Sequence, residues 1–208
     1  MFTGLIEEIG IIKGIKRHSQ GMTLTIQASL ILEDMKLGDS IATHGACLTV
    51  TNIGKHHFNV DVVQDTINSS IFKHIQVNQK VHLERAMRAD GRFGGHFVSG
   101  HVDGVGTLRT RIKQGNATRL GIEVPSSLHK GLLPKGSIAI NGVSLTIQVV
   151  NHTGCVVSII PTTSNWTTLL EAPLHSHVNI ELDMLIKPSL QAQSKLDEAF
   201  LKKHGYIT

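Results

Sequence analysis

The sequence predicts an all-β protein in which two small six-stranded antiparallel β-barrels follow each other in tandem and an α-helix ends the chain. Three observations lead to this prediction: an internal repeat, a series of short alternating strands, and a helical tail without a counterpart. The repeat relates residues 40–50 (SIATHGACLTV) to residues 137–147 (SIAINGVSLTI), with six of eleven positions identical at an offset of 97. Self-similarity at a fixed spacing indicates a duplicated unit. The 208 residues therefore divide into two units of roughly ninety residues, each large enough to bury a core.

The first unit has the pattern of six short strands separated by turns. Met22–Gln27 alternates apolar and polar residues, as a strand with one buried face does. Short helical segments are predicted over Ser29–Lys36 and Thr66–His74. Strands at this spacing favour a small antiparallel barrel over a βαβ unit. The predicted strands are Thr3–Lys13, Met22–Gln27, Ser40–Thr43, Cys47–Ile53, Phe58–Val63 and Lys80–Arg85.

The second unit repeats the first after a charged, glycine-containing linker at Arg88–Arg92. Further segments match at offsets of 96 or 97: residues 2–10 with 98–106, 63–66 with 160–163, and 81–84 with 178–181. We therefore predict one barrel over residues 1–87, a second over residues 94–185, and a tail over residues 186–208.

The tail is predicted to form a helix over Pro188–His204, with proline in its first turn and Gly205 as its stop. A lone helix of this length is marginally stable by itself. It packs either on the barrels of its own chain or on other copies in an oligomer, and the residues leave both open.

Composition excludes several classes of protein. Lysine and arginine are dispersed despite a net charge of +4, and aromatic residues make up only 4%, which disfavours nucleic-acid binding. No apolar run approaches the ~20 residues of a membrane span, and no signal peptide is evident. Cys47 and Cys155 are read as reduced thiols of a cytoplasmic protein. The thirteen histidines show no metal-ligand spacing, so no metal site is predicted.

Positions at which the two repeats differ are the candidates for chemistry. Cys47 aligns with Ser144, Leu5 with His101, His44 with Asn141, and Asp183 with Ala86. Function explains such polar differences at matching positions, but drift after duplication gives the same appearance. For Cys47 the default interpretation is a buried inert thiol, because it lies in an apolar strand. A structural role explains His101 as well as a functional one does. No Ser-His-Asp spacing or phosphate-binding glycine loop is present, so the residues alone indicate two related small-molecule sites.

Several motifs resemble the riboflavin synthase family (alpha-chain type) over residues 1 to about 187. They are MFTGLIEE from Met1, CLTV from Cys47, LERA from Leu83, GGHFVSGHVDG from Gly94, GVSLT from Gly142 and VNIE from Val178. The resemblance implies Greek-key barrels and a C-terminal helix that joins three chains into a homotrimer. It also implies a cofactor-free transferase in which two molecules of 6,7-dimethyl-8-ribityllumazine give riboflavin and 5-amino-6-ribitylaminouracil. The reaction centre would lie between barrels of neighbouring chains, and lumazine synthase is a candidate partner.

The resemblance also assigns site residues. Positions implicated in catalysis are Phe2, Ser40, Cys47, His101, Thr146 and Asp183. We expect His101 and Thr146 to assist proton transfer, Cys47 and Ser40 to activate a nucleophile, and Asp183 to orient it. In the first barrel, the expected substrate-binding residues are Gly4, Leu5, Ile6, Cys47, Leu48, Thr49, Asp61, Val62, Val63, Gln64, Asp65 and Thr66. In the second barrel they are Gly100, His101, Val102, Lys135, Ser144, Leu145, Thr146, Ser158, Ile159, Ile160, Pro161, Thr162 and Thr163.

Three departures from the family pattern affect loop detail. His44-Gly45 stands where the family usually has Asn-Gly, and Asp65-Thr66 and Thr162-Thr163 replace Glu-Thr or His-Thr pairs. The competing interpretation is a lumazine carrier protein of the same fold without catalysis. Retention of Cys47, His101 and Asp183 argues against it. A flavin-binding reductase would need a nucleotide domain that is not evident in this sequence.

Overall fold

The structure, a computed structural model, describes residues 1–189. The first barrel closes in the order β1-β2-β5-β4-β3-β6, and all its pairs are antiparallel. Because β2 lies next to β5 instead of β3, the connectivity is that of a Greek key. The strands are β1 (Glu8–His18), β2 (Gly21–Gln27), β3 (Ser40–Thr43), β4 (Ala46–Ile53), β5 (His57–Val63) and β6 (Lys80–Arg85).

The second barrel repeats this topology with six further strands. It closes in the order β7-β8-β11-β10-β9-β12, which is the first order shifted by six. The prediction of two duplicated six-stranded antiparallel barrels is therefore confirmed. The strands are β7 (Gly104–Gln114), β8 (Ala117–Glu123), β9 (Ser137–Ile140), β10 (Val143–Asn151), β11 (Gly154–Ile159) and β12 (His177–Leu182).

Short helices connect the strands at matching places in both barrels. Helix α1 (Gln64–Ser69) follows β5, and α2 (Pro161–Trp166) follows β11, with proline at its first position. Single 3-10 turns lie at Leu30–Leu32 and Ser126–Gly131. In the part of the chain that the structure describes, no helix is long and apolar enough to cross a membrane.

Each barrel encloses its own apolar core. The first core includes Leu24, Phe58 and Leu83, and the second includes Leu120 and Ile180, all almost fully buried. The side chains alternate inward and outward along the strands, which is the pattern that predicted strands from sequence.

The repeated segments form two β-hairpins whose turns meet between the barrels. The two-residue turn His44-Gly45 has φ of 45° and 84°, and Asn141-Gly142 has φ of 49° and 81°. Positive φ at both positions is the geometry that favours Asn-Gly in such hairpins, and histidine also tolerates it better than most residues do. A Cβ built on Gly45 would lie 2.6 Å from the Gly142 nitrogen. Glycine is therefore required where the two turns touch.

Several predicted boundaries were wrong. The strand predicted over Thr3–Lys13 begins at Glu8 and ends at His18, because residues before Glu8 leave the first barrel. The helix predicted over Thr66–His74 is interrupted at Ser70, whose φ of −136° and ψ of 175° are extended, and a separate 3-10 turn follows at Ile71–His74. The helix predicted over Pro188–His204 lies outside the described residues except for its first two.

Candidate substrate site

The barrels exchange short segments that precede their first strands. We call residues 2–6 the first exchanged segment and residues 98–102 the second. The Ser144 amide of β10 donates to the Gly4 carbonyl at 2.8 Å, and the Cys47 amide of β4 donates to the Gly100 carbonyl at 2.9 Å. Each segment therefore lies on the other barrel.

Side-chain packing shows the same exchange. Ile6 packs against the core of the second barrel, whereas Val102 packs against the core of the first. Between the barrels, Phe2 is fully buried and pairs with Val98 in an antiparallel bridge. The expected grouping of Gly4–Ile6 with the first barrel, and of Gly100–Val102 with the second, was therefore wrong.

Two buried carboxylates anchor the exchanged segments. Glu84, at the end of β6, accepts hydrogen bonds from the Thr3 amide (2.7 Å), the Thr3 hydroxyl (2.9 Å) and the Gly4 amide (3.0 Å). Burial raises the pKa of Glu84 to about 7, although these hydrogen bonds act in the opposite direction. Glu84 thus holds the backbone of the first exchanged segment.

Glu181, at the matching position of β12, does the same for the second segment. It accepts from the Ser99 amide at 2.7 Å, from the Ser99 hydroxyl at 2.6 Å and from the Gly100 amide at 3.0 Å. Its pKa is also raised, chiefly by burial. Neither glutamate was identified as a site residue from sequence, although a carboxylate at the same place in two apolar strands was an available signal.

A cavity of about 410 Å³ lies where the first exchanged segment meets the second barrel. Its walls bring together six residues that were expected to bind substrate: Gly4, Leu5, Ile6, Ser144, Thr162 and Thr163. Leu30 and Trp166, which the sequence reasoning missed, complete its apolar side. We call this cavity and its walls the second-barrel half-site.

A groove of about 420 Å³ continues the half-site across the surface of the second barrel. Ser144 and Thr163 line both the cavity and the groove. The groove adds four other expected residues, Leu145, Thr146, Ser158 and Ile160, together with Gln148 and Arg119. Hydroxyl and amide groups of this kind are suited to a ligand with many hydroxyls.

The first-barrel half-site has the same construction, with the second exchanged segment lying against the first barrel. Cys47 is a free, half-buried thiol on β4, and it lies beside Gly100, where an added Cβ would approach the Cys47 Cβ to 2.5 Å. His101 follows and is exposed. Thr49 pairs with Asp61 across β4 and β5, and Asp61 accepts from the Thr23 hydroxyl at 2.8 Å.

Some expected residues can offer only backbone groups to a ligand. Leu48, Val62, Leu145 and Ile159 point into the barrel cores and are at most 6% exposed. Alternate residues of the same strands, such as Thr49 and Thr146, are exposed. A ligand on the barrel surface therefore meets the side chains of alternate residues only.

The remaining expected residues lie at the edges of the two half-sites. Ser40 begins β3 opposite Thr49, and the Lys135 ammonium donates to Gln148 at 3.3 Å. Asp65 and Thr66 lie in α1, which follows β5. Gln64 also lies in this helix, directly after Val63, and Pro161 begins the matching helix α2.

A histidine that sequence reasoning missed holds the Ser144 hydroxyl. The His96 Nδ1 lies 2.7 Å from the Ser144 Oγ, and His96 is only 7% exposed. Burial lowers the pKa of His96, and the negative charge of Asp183 acts in the opposite direction. A serine and a histidine 48 residues apart in the chain are thus in contact here, although nothing in their spacing indicated it. The motif GGHFVSGH drew attention to His101, whereas His96 in the same motif is the histidine in contact with Ser144.

Among residues 1–189, no group of three or more histidine, cysteine, aspartate or glutamate side chains is arranged to hold a metal ion. The chemistry available in the two half-sites is that of hydroxyls, a thiol, histidines, carboxylates and backbone amides. Such groups can align a ligand, move protons and stabilise a developing charge.

Comparisons with known proteins agree with this geometry. The family model described as a lumazine binding domain matches twice, over residues 3–86 and 99–183. The riboflavin synthase of Bacillus subtilis (strain 168) is 44% identical over 215 residues, covering 99% of this chain and 100% of that protein. The riboflavin synthase of Actinobacillus pleuropneumoniae is 40% identical with the same coverage.

Solved structures of LumP show a similar fold. LumP complexed with riboflavin superimposes with a TM-score of 0.81 at 28% identity, covering 88% of this chain and 99% of that one. LumP complexed with 6,7-dimethyl-8-(1'-D-ribityl) lumazine gives a TM-score of 0.78 with the same identity and coverage.

Proposed function

Since this chain belongs to the riboflavin synthase family, and is an enzyme, we propose that it transfers a four-carbon unit between two molecules of 6,7-dimethyl-8-ribityllumazine. The products are riboflavin and 5-amino-6-ribitylaminouracil. The observation that carries this proposal is the pair of related half-sites, each completed by a segment from the other barrel. Two like sites suit a reaction between two like molecules.

Alignment supplies much of the catalysis in this proposal. The C7 methyl group of the lumazine is unusually acidic, so the protein has little acid–base chemistry to perform. Holding two reactants in register lowers a barrier by about 7 kcal/mol or more in well-oriented systems. The exchanged segments are suited to this role because buried carboxylates fix their backbone. Backbone amides held this way would bind the polar edge of each heterocycle.

Named side chains take the remaining steps. His101, exposed at the first-barrel half-site, and Thr146, exposed at the second, assist proton transfer at the reacting methyl groups. Cys47 and Ser40 help to activate the nucleophile that adds to C7 of one molecule, and Asp183 orients it. The buried Phe2 acts by fixing the first exchanged segment against Val98.

The two half-sites of one reaction centre come from different chains in this proposal. Three chains associate, and the first barrel of one faces the second barrel of a neighbour. The exposed His101 and Leu5, each beside an open half-site, are in keeping with a facing partner. A cytoplasmic location is proposed from the two free thiols. Association with lumazine synthase stays a prediction.

The competing function is that of a chromophore carrier, which the likeness to ligand-bound LumP structures favours. The identity of 44% to a riboflavin synthase over its full length, against 28% to LumP, favours the enzyme. The test is incubation of the purified chain with the lumazine as its only substrate. The absorbance of riboflavin should rise, with one riboflavin formed for every two lumazines consumed. Tight binding of an unchanged lumazine would establish the carrier instead.

A further inference from the structure

The second-barrel half-site carries three large apolar side chains that are left open to solvent. Leu5, Leu30 and Trp166 line its cavity and are 49%, 43% and 55% exposed. Exposed apolar groups that converge on a cavity, rather than scattering over a surface, indicate a binding wall. Trp166 is the single tryptophan of the whole sequence.

The position of Trp166 is fixed by its helix. It is the last residue of α2, which starts at Pro161 and is separated from β11 only by Ile160. Beyond it, the Thr167 hydroxyl donates to the Thr163 carbonyl at 2.9 Å and the chain turns back into the core. The indole is therefore presented to the cavity by a braced backbone, although half of its surface stays uncovered.

The matching positions of the first-barrel half-site are all polar. At an offset of 96 or 97 residues, Leu5 corresponds to His101 and Trp166 to Ser69. Leu30 corresponds to Ser126 or Ser127, according to where the offset changes, and both are serine. The two half-sites thus share one backbone arrangement, but the second-barrel half-site has an apolar wall and the first-barrel half-site has a polar wall.

Resting on the proposed function, we propose that Trp166, with Leu5 and Leu30, covers the flat ring of one substrate molecule and makes the second-barrel half-site the tighter of the two. A flat heterocycle buries a large area against an indole face, and stacking of this kind strengthens binding by about tenfold to a hundredfold. The polar wall offers no such surface. The substrate molecule in the first-barrel half-site, beside the exposed His101, is therefore held less tightly. Trp166 is a positioning residue for the substrate molecule in the second-barrel half-site.

The lone tryptophan makes the proposal directly measurable. Riboflavin, which binds without reacting further, is titrated into the full chain while tryptophan fluorescence and heat are recorded. Two binding phases are expected, and the fluorescence should be quenched in the tighter phase. Quenching confined to the weaker phase would overturn the proposal, and this observation needs no variant that might fail to fold.

Variants then separate the wall from the rest of the site. Trp166→Ser should weaken the tighter phase by about tenfold to a hundredfold and leave the weaker phase unchanged, whereas Trp166→Phe should keep most of the affinity. Ser69→Trp should tighten the weaker phase. Leu37→Ser, which removes a side chain 68% exposed outside the cavity, is the matched control and should change neither phase. Equal affinities in Trp166→Ser and the parent chain, with melting temperatures alike, would refute the role of the indole.

Formation of riboflavin from the lumazine, measured on the same preparation, keeps the two proposals apart. A chain that makes riboflavin but shows no tryptophan quenching disproves the apolar wall alone. A chain that makes none, but shows quenching in the tighter phase, disproves the proposed reaction and retains the wall.

Discussion

Replacing His44 and His82 together by asparagine should remove a loss of stability that the protein suffers in acid. Both histidines are buried between the barrels, at 4% and 0% exposure, with ring centroids 4.6 Å apart. His82 donates from Nδ1 to the Asn141 carbonyl at 2.9 Å, and its Nε2 accepts from the Thr168 amide at 2.8 Å. This pattern requires a neutral ring, because a protonated Nε2 cannot accept.

The second barrel fills the matching positions with asparagines. The Asn179 side chain donates to the His44 carbonyl at 2.9 Å and accepts from the Ile71 amide at 2.8 Å. Since these bonds correspond one by one to those of His82, asparagine should satisfy the same backbone groups in the first barrel. We therefore expect the variant H44N/H82N to fold with similar stability at neutral pH.

The size of the effect follows from the pKa of His82. Burial lowers this pKa from 6.5 to about 4, and burial also lowers the pKa of His44, with a further contribution from the neighbouring His82. As the pH falls, the unfolded chain therefore binds protons on these histidines that the folded chain does not bind. The contribution of neutral His82 to the free energy of unfolding is fully present above pH 6.5 and is lost as the pH falls toward 4. His82 alone accounts for about 2 kcal/mol between pH 7 and pH 5, and about 3 kcal/mol once fully protonated.

Glu84 acts in the opposite direction. Because its folded pKa is raised to about 7, its contribution to stability is greatest in acid and is lost as the pH rises from 4.5 toward 7. The pH dependence of the parent chain is therefore a sum of opposing trends. Only the difference between the parent and H44N/H82N isolates the histidines.

The assay is urea unfolding at pH 7 and pH 5 at one fixed protein concentration. Relative to the parent, the double variant should gain at least about 2 kcal/mol on going from pH 7 to pH 5. His56→Asn, which changes an exposed histidine, serves as the control and should follow the parent. If the difference in unfolding free energy between parent and double variant were the same at both pH values, the buried histidines would have to be protonated in the folded state, contrary to this prediction.

Three further predictions concern the contact between the barrels and the anchors of the site. Gly45→Ala should lower the free energy of unfolding by about 2–4 kcal/mol, because the added Cβ collides with backbone at positive φ. The control is Gly38→Ala, which is also at positive φ but has no atom within 4 Å of the added Cβ. It should lower the free energy of unfolding by only about 1 kcal/mol. Similar unfolding curves for the two variants would show that the turns do not touch. Glu181→Gln should reduce kcat about tenfold while lowering the unfolding free energy by only about 1–3 kcal/mol, since it loosens the segment that carries His101, the proposed proton-transfer residue. An unchanged kcat in steady-state assays would contradict the anchoring role. His96→Leu should raise KM about tenfold by releasing the Ser144 hydroxyl. His96→Gln, which keeps a hydrogen-bonding side chain, should have a KM close to that of the parent. Equal KM values for both variants would contradict a hydrogen-bonding role.

The sequence predicted the barrels because two signals agreed. Alternation in segments such as Met22–Gln27 identified strands, and the constant offset identified a duplication, so the strands Ser40–Thr43 and Lys80–Arg85 were predicted to the residue. The exchange of segments could not be predicted in this way. A repeat shows that Gly4 and Gly100 are equivalent, but it does not show which barrel each one contacts. The break at Ser70 was missed for a similar reason, since nothing in the local sequence specifies its extended backbone.

Positions at which the repeats differ drew most of the attention in the sequence. The pairs Cys47/Ser144 and Leu5/His101 drew attention because the two members of each pair differ in chemistry, a thiol against a hydroxyl and an apolar side chain against an imidazole. The repeats both have glutamate at the positions of Glu84 and Glu181, and these residues were passed over, although they fix the backbone of the exchanged segments. Trp166 was missed because the sequence does not show which residues lie across the cavity from it, and these neighbours are what indicate a binding role.

In the proposed enzyme, one reaction centre combines a first-barrel half-site and a second-barrel half-site from different chains. The most direct test mixes two variants, His101→Ala in the first half-site and Thr146→Ala in the second, each of which should be nearly inactive alone. After joint unfolding and refolding, mixed assemblies contain interfaces in which both half-sites are intact, so riboflavin formation should return to a substantial fraction of the parent rate. A mixture no more active than its two components would contradict a reaction centre shared between chains, because both half-sites would then have to lie in one chain.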